Sequence, residues 1–401
     1  MRVLTFSSLY PSAARPQHGL FVAARLRELR RRQPDVEAHV VAPVPWFPFK
    51  AAAFGDYAAW ARTPLREEWQ GQRADHPRYL MLPKLGMHRQ PDAMARAAAR
   101  WIARHGLQFD LIDAHYFYPD GVAAAALSRQ LGKPLLITAR GSDLNLIGQD
   151  ERARARMLDA CDQASACIGV STALVEVLRG WGVPERKLHV IRNGVDLDRF
   201  APRDRVAARQ GLGLDVPGPM LLSVGNLLEL KGHALLVEAV HLLREDWPML
   251  QLYIAGEGAE RERLQAQIAR LDLGRRVTLL GAVPNAALPD WYNAADLFLL
   301  PSSREGLPNA LLEALACGTP ALASAVGGIP EVLGDAPGAG ELLAERSAQA
   351  IADALRRWLP READRDAVRL TAMAYSWDSS IAELHALMQQ VVRGRREAGH
   401  A

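Results

Sequence analysis

Apolar runs and helical patterns alternate from one end of this chain to the other. Short runs at residues 3–7, 38–42, 79–82, 111–114, 135–138, 166–170 and 189–192 are bounded by polar or glycine-containing stretches, as strands are. Patterns with apolar residues three and four apart fall between most of them, at 21–32, 93–104 and 121–131, the last closed by Gly132 and Pro134. A second series of runs follows at 220–224, 250–255, 277–280, 297–300 and 321–324, again with helical patterns between. Such alternation predicts an α/β protein whose parallel sheets carry helices on both faces. Two series predict two Rossmann-like, doubly wound domains. The join is expected in "NGVDLDRFAPR" at 193–203, a polar stretch broken by Gly194 and Pro202.

Open parallel sheets bind ligands beyond the carboxyl ends of their strands. The polar, glycine-marked stretches fall there: "HYFYPDG" (115–121), "RGSDLN" (140–145), "GNLLELKGH" (225–233), "GEG" (256–258) and "REGLPN" (304–309). If the two sheets face each other, all five converge on a central cleft. In "SSREGLPNALLEALACGTP" (302–320), Pro308 suits the first turn of a helix, Leu311, Leu312 and Leu315 continue it, and Gly318 and Pro320 stop it. Glu305 then sits in a loop beside a helix N-terminus. Glu313 lies roughly 8 Å further along, at about 1.5 Å per residue.

A helix start near Leu307, the cation Lys231 and close-approaching glycines suit a diphosphate without metal. Glu305 and Glu313 suit hydroxyl groups, one of a sugar and one of a ribose. By position alone each has a plainer alternative. Glu313 fits a solvated helix glutamate, Glu305 a charge on a helix dipole, Lys231 a surface lysine and His115 a packed histidine.

Composition narrows the class. The chain is 49% hydrophobic and 23% charged, enough for sizeable cores. No apolar run reaches 18 residues, so no spanning helix is expected, and the polar turn after "MRVLTF" argues for a first strand rather than a signal peptide. Cys161, Cys167 and Cys317 lack metal spacing and read as reduced thiols of a cytoplasmic protein. Residues 1–198 carry 27 Lys and Arg against 20 Asp and Glu, an excess of seven; residues 199–401 carry 21 against 25, a deficit of four. The basic front half suits an anionic membrane surface or acceptor, or reflects an arginine-rich composition. Trp46, Phe47, Phe49, Trp60 and Trp69 in the irregular segment 43–77 suit a lipid- or acceptor-facing flap, or packing over the sheet edge. Arg30–Arg32 and Trp46–Phe49 are the first membrane-contact candidates. No nucleic-acid partner is expected.

Taken together, these stretches resemble the GT-B glycosyltransferases, specifically glycosyltransferase family 4. The resemblance runs from "PQHGLF" (16–21) through His115, "GSD" (141–143) and "RNGVD" (192–196). It is most specific in "SVGNLLELKGH", "IAGEG" and the paired-glutamate "EGLPNALLEALACGTPALAS" (305–324), followed by "GGIPEVL" (327–333) and "YSWDSSIAEL" (375–384). It implies a front acceptor domain over 1–195, a donor domain over 196–376 and a last segment, 377–401, crossing back to the front domain. It also implies retaining transfer of a hexose-type sugar from a nucleotide-diphosphate donor to a saccharide or lipid-linked acceptor, in cell-envelope polysaccharide or glycolipid biosynthesis. On this resemblance Glu313 holds the ribose and Lys231 the diphosphate. Glu305, with the amides near Gly306 and Leu307, holds the donor sugar. His115 lies near the anomeric centre, and Gly19 lets the front domain close. Asp143, Asn226, Gly256, Pro308 and Asn309 complete the expected substrate site. No cofactor is expected, and no metal.

Two positions depart from the family pattern. Asn226 stands where many members have Arg, and Arg140 where many have His before "GSD". Phosphate neutralisation then leans on Lys231, the helix dipole and another cation, and Arg140 is expected to meet the donor diphosphate or an acidic acceptor. "DLD" (196–198) fits a metal-binding Asp-x-Asp pattern but falls in the linker. A dehydrogenase would need G-x-G-x-x-G after the first strand, where "SSLYPSAARPQHG" stands instead. A GT-B sugar-nucleotide epimerase and a binding protein that has lost turnover remain alternatives.

Overall fold

The structure, a computed structural model, describes residues 1–81, 86–215 and 217–398. The chain divides into two compact units: Met1–Asn193 with Asp378–Ala401, and Gly194–Trp377.

The first unit contains β1 (Arg2–Phe6), β2 (Glu37–Val41), β3 (Val44–Pro45), β4 (Arg66–Trp69), β5 (Gln72–Asp75), β6 (Arg78–Tyr79), β7 (Leu111–His115), β8 (Leu135–Ala139), β9 (Ala166–Gly169) and β10 (Leu188–Val190). Eight of them form one sheet in the order β10-β9-β8-β7-β1-β2-β5-β4; β3 and β6 pair separately. Every pairing in the large sheet is parallel except β4 with β5. Helices used below are α1 (Leu20–Arg32), α2 (Asp56–Arg62), α3 (Gln90–His105) and α4 (Val122–Leu131). The helix Trp377–Ala398 meets this unit from Asp378 onward: Arg32 Nε donates to Asp378 at 2.6 Å, the Ser380 hydroxyl donates to the Arg192 carbonyl, and Ile381, Leu384 and Met388 are fully buried.

The second unit holds β11 (Met220–Val224), β12 (Gln251–Ala255), β13 (Val277–Gly281), β14 (Leu297–Leu300), β15 (Ala321–Ser324) and β16 (Gly340–Leu343) in one parallel sheet, ordered β13-β12-β11-β14-β15-β16. Counted within the unit this is 3-2-1-4-5-6, the doubly wound Rossmann order. Leu297, Phe298, Leu299 and Leu300 are all buried, so both faces of β14 are covered. That is why its sequence is a continuous apolar run instead of an alternation.

Strand order places the sites. The winding direction reverses between β11 and β14 in the second unit and between β1 and β7 in the first. Loops leaving neighbouring strands diverge at such a point and open a crevice at the carboxyl end.

Several expectations need correction. The expected strand 79–82 is only the two-residue β6, paired with β3 outside the main sheet; residue 82 lies outside the described residues. Residues 43–77 are not irregular: they contain β3, α2 and the antiparallel hairpin β4–β5. The hairpin turns at Gln70 and Gly71, both at positive φ, the geometry that suits a two-residue hairpin loop. Pro308 precedes the helix Asn309–Ala316 in extended geometry instead of lying in its first turn.

Candidate functional site

In the second unit, four loops meet at the carboxyl end of the sheet around the β11–β14 switch. The loop after β11 ends in a short 3-10 turn, Glu229–Lys231, before the helix His233–Leu242. Lys231 Nζ donates to Glu305 Oε1 at 2.6 Å, joining this loop to the one after β14. The two side chains keep 19% and 10% of their surface exposed, so the pair is partly desolvated but reachable.

Tight backbone packing holds the loops in register. Gly256, after β12, has φ +154, and a Cβ there would lie 1.9 Å from the Gly225 carbonyl oxygen. Gly327, after β15, has φ +56, and its Cβ would lie 2.1 Å from the Glu305 carbonyl oxygen. Only glycine fits either contact. The Gly328 N–H donates to the Gly306 carbonyl at 2.7 Å, closing the support under Glu305 and Gly306.

The helix Asn309–Ala316 buries Leu311, Leu312 and Leu315 completely, at roughly 1.5–3 kcal/mol each. Its N-terminus brings a partial positive charge to the loops. Leu307 and Pro308 are buried ahead of it, and Asn309 is half-buried. Glu313 is half-buried a turn further on, where its Oε2 accepts from the Tyr292 hydroxyl at 2.9 Å. Burial pushes the Glu313 carboxyl up to about 7, against the opposing pull of Tyr292 and Arg199. Asn226 is exposed.

That carboxyl predicts a pH effect. Its folded pKa lies above the ordinary 4.5, so between about 4.5 and 7 the folded state holds a proton that the unfolded chain releases. Stability from this group is therefore lost as pH rises through that window. Glu313→Gln should flatten the loss. In urea titrations at pH 5 and pH 8, the variant should gain on the wild type by roughly 1–2 kcal/mol at the higher pH, a figure discounted for partial exposure. Identical pH slopes for the two proteins would refute this.

The sequence reading missed several residues here. Arg346, after β16, donates from Nε to the Pro301 carbonyl at 2.9 Å and from a terminal nitrogen to the Glu229 carbonyl at 3.0 Å, clamping two loops. Nothing near it in sequence marks it. The hydroxyls of Ser223, Ser302 and Ser324, at the ends of β11, β14 and β15, are buried and have no hydrogen-bond partner among the described residues. His233 is buried with Nδ1 likewise unpartnered; burial, then Lys231, lowers its pKa to about 4, so it is neutral at pH 7.

In the first unit, the loops after β1, β7 and β8 meet at the other switch. His115 ends β7 and is 1% exposed. Its Nδ1 faces the Arg140 guanidinium at 2.5 Å and its Nε2 faces Asp113 Oδ2 at 3.1 Å. Arg140 can only donate, so the ring proton belongs on Nε2 and goes to Asp113. Asp113 also accepts from Arg25 at 2.9 Å. Burial alone would raise the Asp113 carboxyl, but Arg25, His115 and Arg140 hold it well below the usual range. Burial lowers the pKa of His115 to about 4, although Asp113 opposes it. The imidazole is therefore neutral at pH 7 with both nitrogens engaged.

Arg140 is the notable member of this chain. Its guanidinium donates to Asn193 Oδ1 at 2.7 Å, lies over the Phe21 ring at 4.9 Å and touches no carboxylate among the described residues. Its Nε is buried without a partner among the described residues. Burial, then Arg25, lowers its pKa to about 9, so it stays cationic at pH 7. Asp143 is fully buried and accepts backbone N–H groups from Phe117 and Gly141 at 2.8 Å and from Arg140 at 3.1 Å. That side chain ties the β8 loop to the β7 loop. Gly19, at φ +57 before α1, packs against Leu9; a Cβ would lie 1.9 Å from the Leu9 carbonyl oxygen. A cavity of about 190 Å³ near the β1 loop is lined by Tyr10, His18, Trp60, His76, Tyr79 and Gln90, among others.

Thus the second unit brings together Lys231, Glu305, Gly306, Leu307 and the helix carrying Glu313, while the first gathers His115, Arg140 and Asp143. Among the described residues no group of three or more His, Cys, Asp or Glu could hold a metal ion.

Residues 204–376 match the family of glycosyl transferases group 1, and residues 57–199 match Glycosyltransferase Family 4. TuaC of Bacillus subtilis (strain 168), which its name assigns to teichuronic acid biosynthesis as a glycosyltransferase, is 30% identical over 377 residues, covering 91% of this chain and 92% of that protein. A D-inositol 3-phosphate glycosyltransferase of Geodermatophilus obscurus is 31% identical over 312 residues, covering 73% and 69%. The structure of sucrose-phosphate synthase from Thermosynechococcus elongatus matches with a TM-score of 0.79 at 22% identity, covering 98% of this chain and 99% of that one. Anabaena HepE in complex with UDP-glucose matches with a TM-score of 0.69 at 19% identity, covering 97% and 99%. At such identities the two structures speak for the fold alone.

Proposed function

Since the chain belongs to the GT-B glycosyltransferases of family 4, we propose that it is a retaining, metal-independent hexosyltransferase using a nucleotide-diphosphate sugar. The observation that carries this reading is the 2.6 Å Lys231–Glu305 pair at a helix start, with Glu313 on the same helix. A cation and a helix dipole suit a diphosphate, and two separate carboxylates suit ribose and sugar hydroxyls. Gly256, Asn226, Pro308 and Asn309 line the same loops. The acceptor we propose is a cell-envelope saccharide, free or lipid-linked; TuaC, named for teichuronic acid biosynthesis, supports a polysaccharide pathway. The aromatic faces and polar tips of the cavity around Tyr10, Trp60 and Tyr79 would suit a sugar ring. The setting we propose is the cytoplasm, at the inner face of the membrane.

The chemistry proposed is same-face substitution. The bond from the anomeric carbon to the leaving phosphate oxygen breaks, the acceptor oxygen bonds to that carbon on the same face, and the acceptor proton passes to the leaving phosphate. Protein groups then act by positioning and by stabilising charge on the leaving group. Lys231 and the helix start take that charge. His115, being neutral and held at both nitrogens, orients Arg140, and Arg140 meets an anionic group of the donor or of an acidic acceptor.

Melting curves with UDP, GDP, ADP and NAD, each with EDTA, test the donor site. One nucleoside diphosphate should raise the melting temperature, since it binds the native state alone, and the shift should vanish in Glu313→Ala. UDP is the first to try, given the UDP-sugar complex of HepE. Stabilisation by NAD alone, or by none of the four, would overturn the reading. A sugar-transfer assay separates transfer from the epimerase and binding-only alternatives.

A further inference from the structure

The first unit carries an exposed apolar ridge beside three arginines whose guanidinium groups are unpaired among the described residues. The pairing of β3 with β6 continues one residue beyond Pro45 and Tyr79, since the Trp46 N–H donates to the Tyr79 carbonyl at 2.7 Å. Trp46 and Leu80 therefore stand side by side, 52% and 68% exposed. Phe49 and Phe54, 56% and 43% exposed, stack at 5.3 Å shortly after Trp46 in sequence, and Phe47 ties both to Tyr57 of α2. Single exposed apolar residues are ordinary, but an exposed aromatic cluster and an exposed Trp–Leu pair on one short stretch and its strand partner are not.

Helix α3 supplies the charge. Its buried residues are Pro91, Met94, Ala95, Ala97, Ala98 and Ile102. Arg89, just before the helix, and Arg96 and Arg100 within it are seven and four residues apart, so they share the opposite face. All three are exposed, and none of their guanidinium groups has a hydrogen-bond or ion-pair partner among the described residues. The one acidic residue of α3, Asp92, is paired with Arg156. The three arginines border a cavity of about 500 Å³ whose other wall is Tyr79, Leu80 and Met81, which joins the cations to the ridge.

We propose that this surface docks the protein on an anionic lipid bilayer, with Trp46, Phe49 and Leu80 at headgroup depth and Arg89, Arg96 and Arg100 on lipid phosphates. Amphipathic aromatic rings favour the membrane–water interface, and juxtamembrane cations are drawn to anionic lipid. Neither half of the surface alone would select a bilayer; side by side, they match its apolar edge and its charge. The other sequence candidate, Arg30–Arg32, is occupied within the fold: Arg30 donates to Gln72 at 2.8 Å, and Arg31 and Arg32 pair with Glu28. The inference rests on the membrane-face setting proposed above.

Co-sedimentation with vesicles of phosphatidylglycerol and phosphatidylcholine, against vesicles of phosphatidylcholine alone, tests it. The wild type should pellet with the first at least tenfold more than with the second, and salt should release it. Arg96→Glu with Arg100→Glu should cut pelleting about tenfold or more, and Trp46→Ser with Leu80→Ser should cut it several-fold. All four positions are exposed, so melting temperatures should hold. Equal pelleting with both vesicle types, or pelleting unchanged by charge reversal, overturns the proposal. The nucleoside-diphosphate melting shift, measured on the same variants, reports the transferase reading separately. Lost pelleting with a retained shift supports docking by this surface, and wild-type pelleting without any shift supports docking while sinking the donor site.

Discussion

Sugar transfer should fall roughly 10²–10³-fold when Lys231 is replaced by alanine, with the larger part of the loss in kcat. The reason is charge. As the donor's bond to the sugar breaks, negative charge grows on the leaving diphosphate, and an ammonium already in place stabilises that state more than the ground state. In the folded chain Lys231 is fixed by Glu305 at 2.6 Å and by the turn Glu229–Lys231, so little reorganisation is needed. Removing it also leaves Glu305 as a carboxylate without its cation, beside the helix start that would receive phosphate. A double-mutant cycle isolates this second effect: if Glu305 repels the diphosphate once unpaired, Lys231→Ala with Glu305→Gln should show a weaker nucleotide-binding defect than Lys231→Ala alone. The measurement is kcat and KM for the donor, alongside melting temperature. Wild-type kcat in a folded Lys231→Ala protein would remove Lys231 from the chemistry.

Arg140→Ala is expected to lose about 10²-fold or more in kcat/KM, and Arg140→Lys is expected to recover little of it. A guanidinium can donate to His115 Nδ1 and Asn193 Oδ1 at once while keeping further N–H groups for a substrate anion. An ammonium on a flexible stem cannot hold both partners and stack on Phe21. A half-buried cation with no carboxylate partner among the described residues is costly to keep unless an anion arrives. The loss should therefore divide in a telling way. If Arg140 meets the donor, KM for the nucleotide sugar rises; if it meets an acidic acceptor, donor KM holds and acceptor KM rises. Intact activity in Arg140→Ala, with an unchanged melting temperature, would sink the role altogether.

Much of the architecture is written in the chain because buried parallel strands must be apolar throughout. The runs at 220–224, 297–300 and 321–324 match β11, β14 and β15 residue for residue, each covered on both faces. The hairpin β4–β5 was not legible for the converse reason. It closes the edge of the first sheet with residues such as Arg66, Glu68 and Arg73, which face solvent and leave no apolar run. The four-residue β16 was hidden because "GELL" is too short for a pattern. The aromatic residues of 43–77 divided between both readings: Trp69 packs against the cluster around Tyr10, Val22 and Leu26, while Trp46 and Phe49 stay in solvent.

By itself the sequence determined the α/β class, two wound series, a family and the loops that carry unusual residues, because periodicity, glycine and motif order are local properties. It also marked Lys231, Glu305, Glu313, His115 and Arg140 as residues of interest. Tertiary structure alone decided what each of them touches. It paired Lys231 with Glu305, 74 residues away, and put Glu313 against Tyr292, which raises its carboxyl toward neutral pH. It buried His115 and Asp143 with their polar atoms occupied and neutralised Arg31 and Arg32, while among the described residues it left the Arg140 guanidinium without a carboxylate and the Arg96 and Arg100 side chains unpaired. Those outcomes depend on which strands lie side by side and on how much water remains at each group. Such distances and solvation join residues far apart in the chain, and no local pattern encodes them.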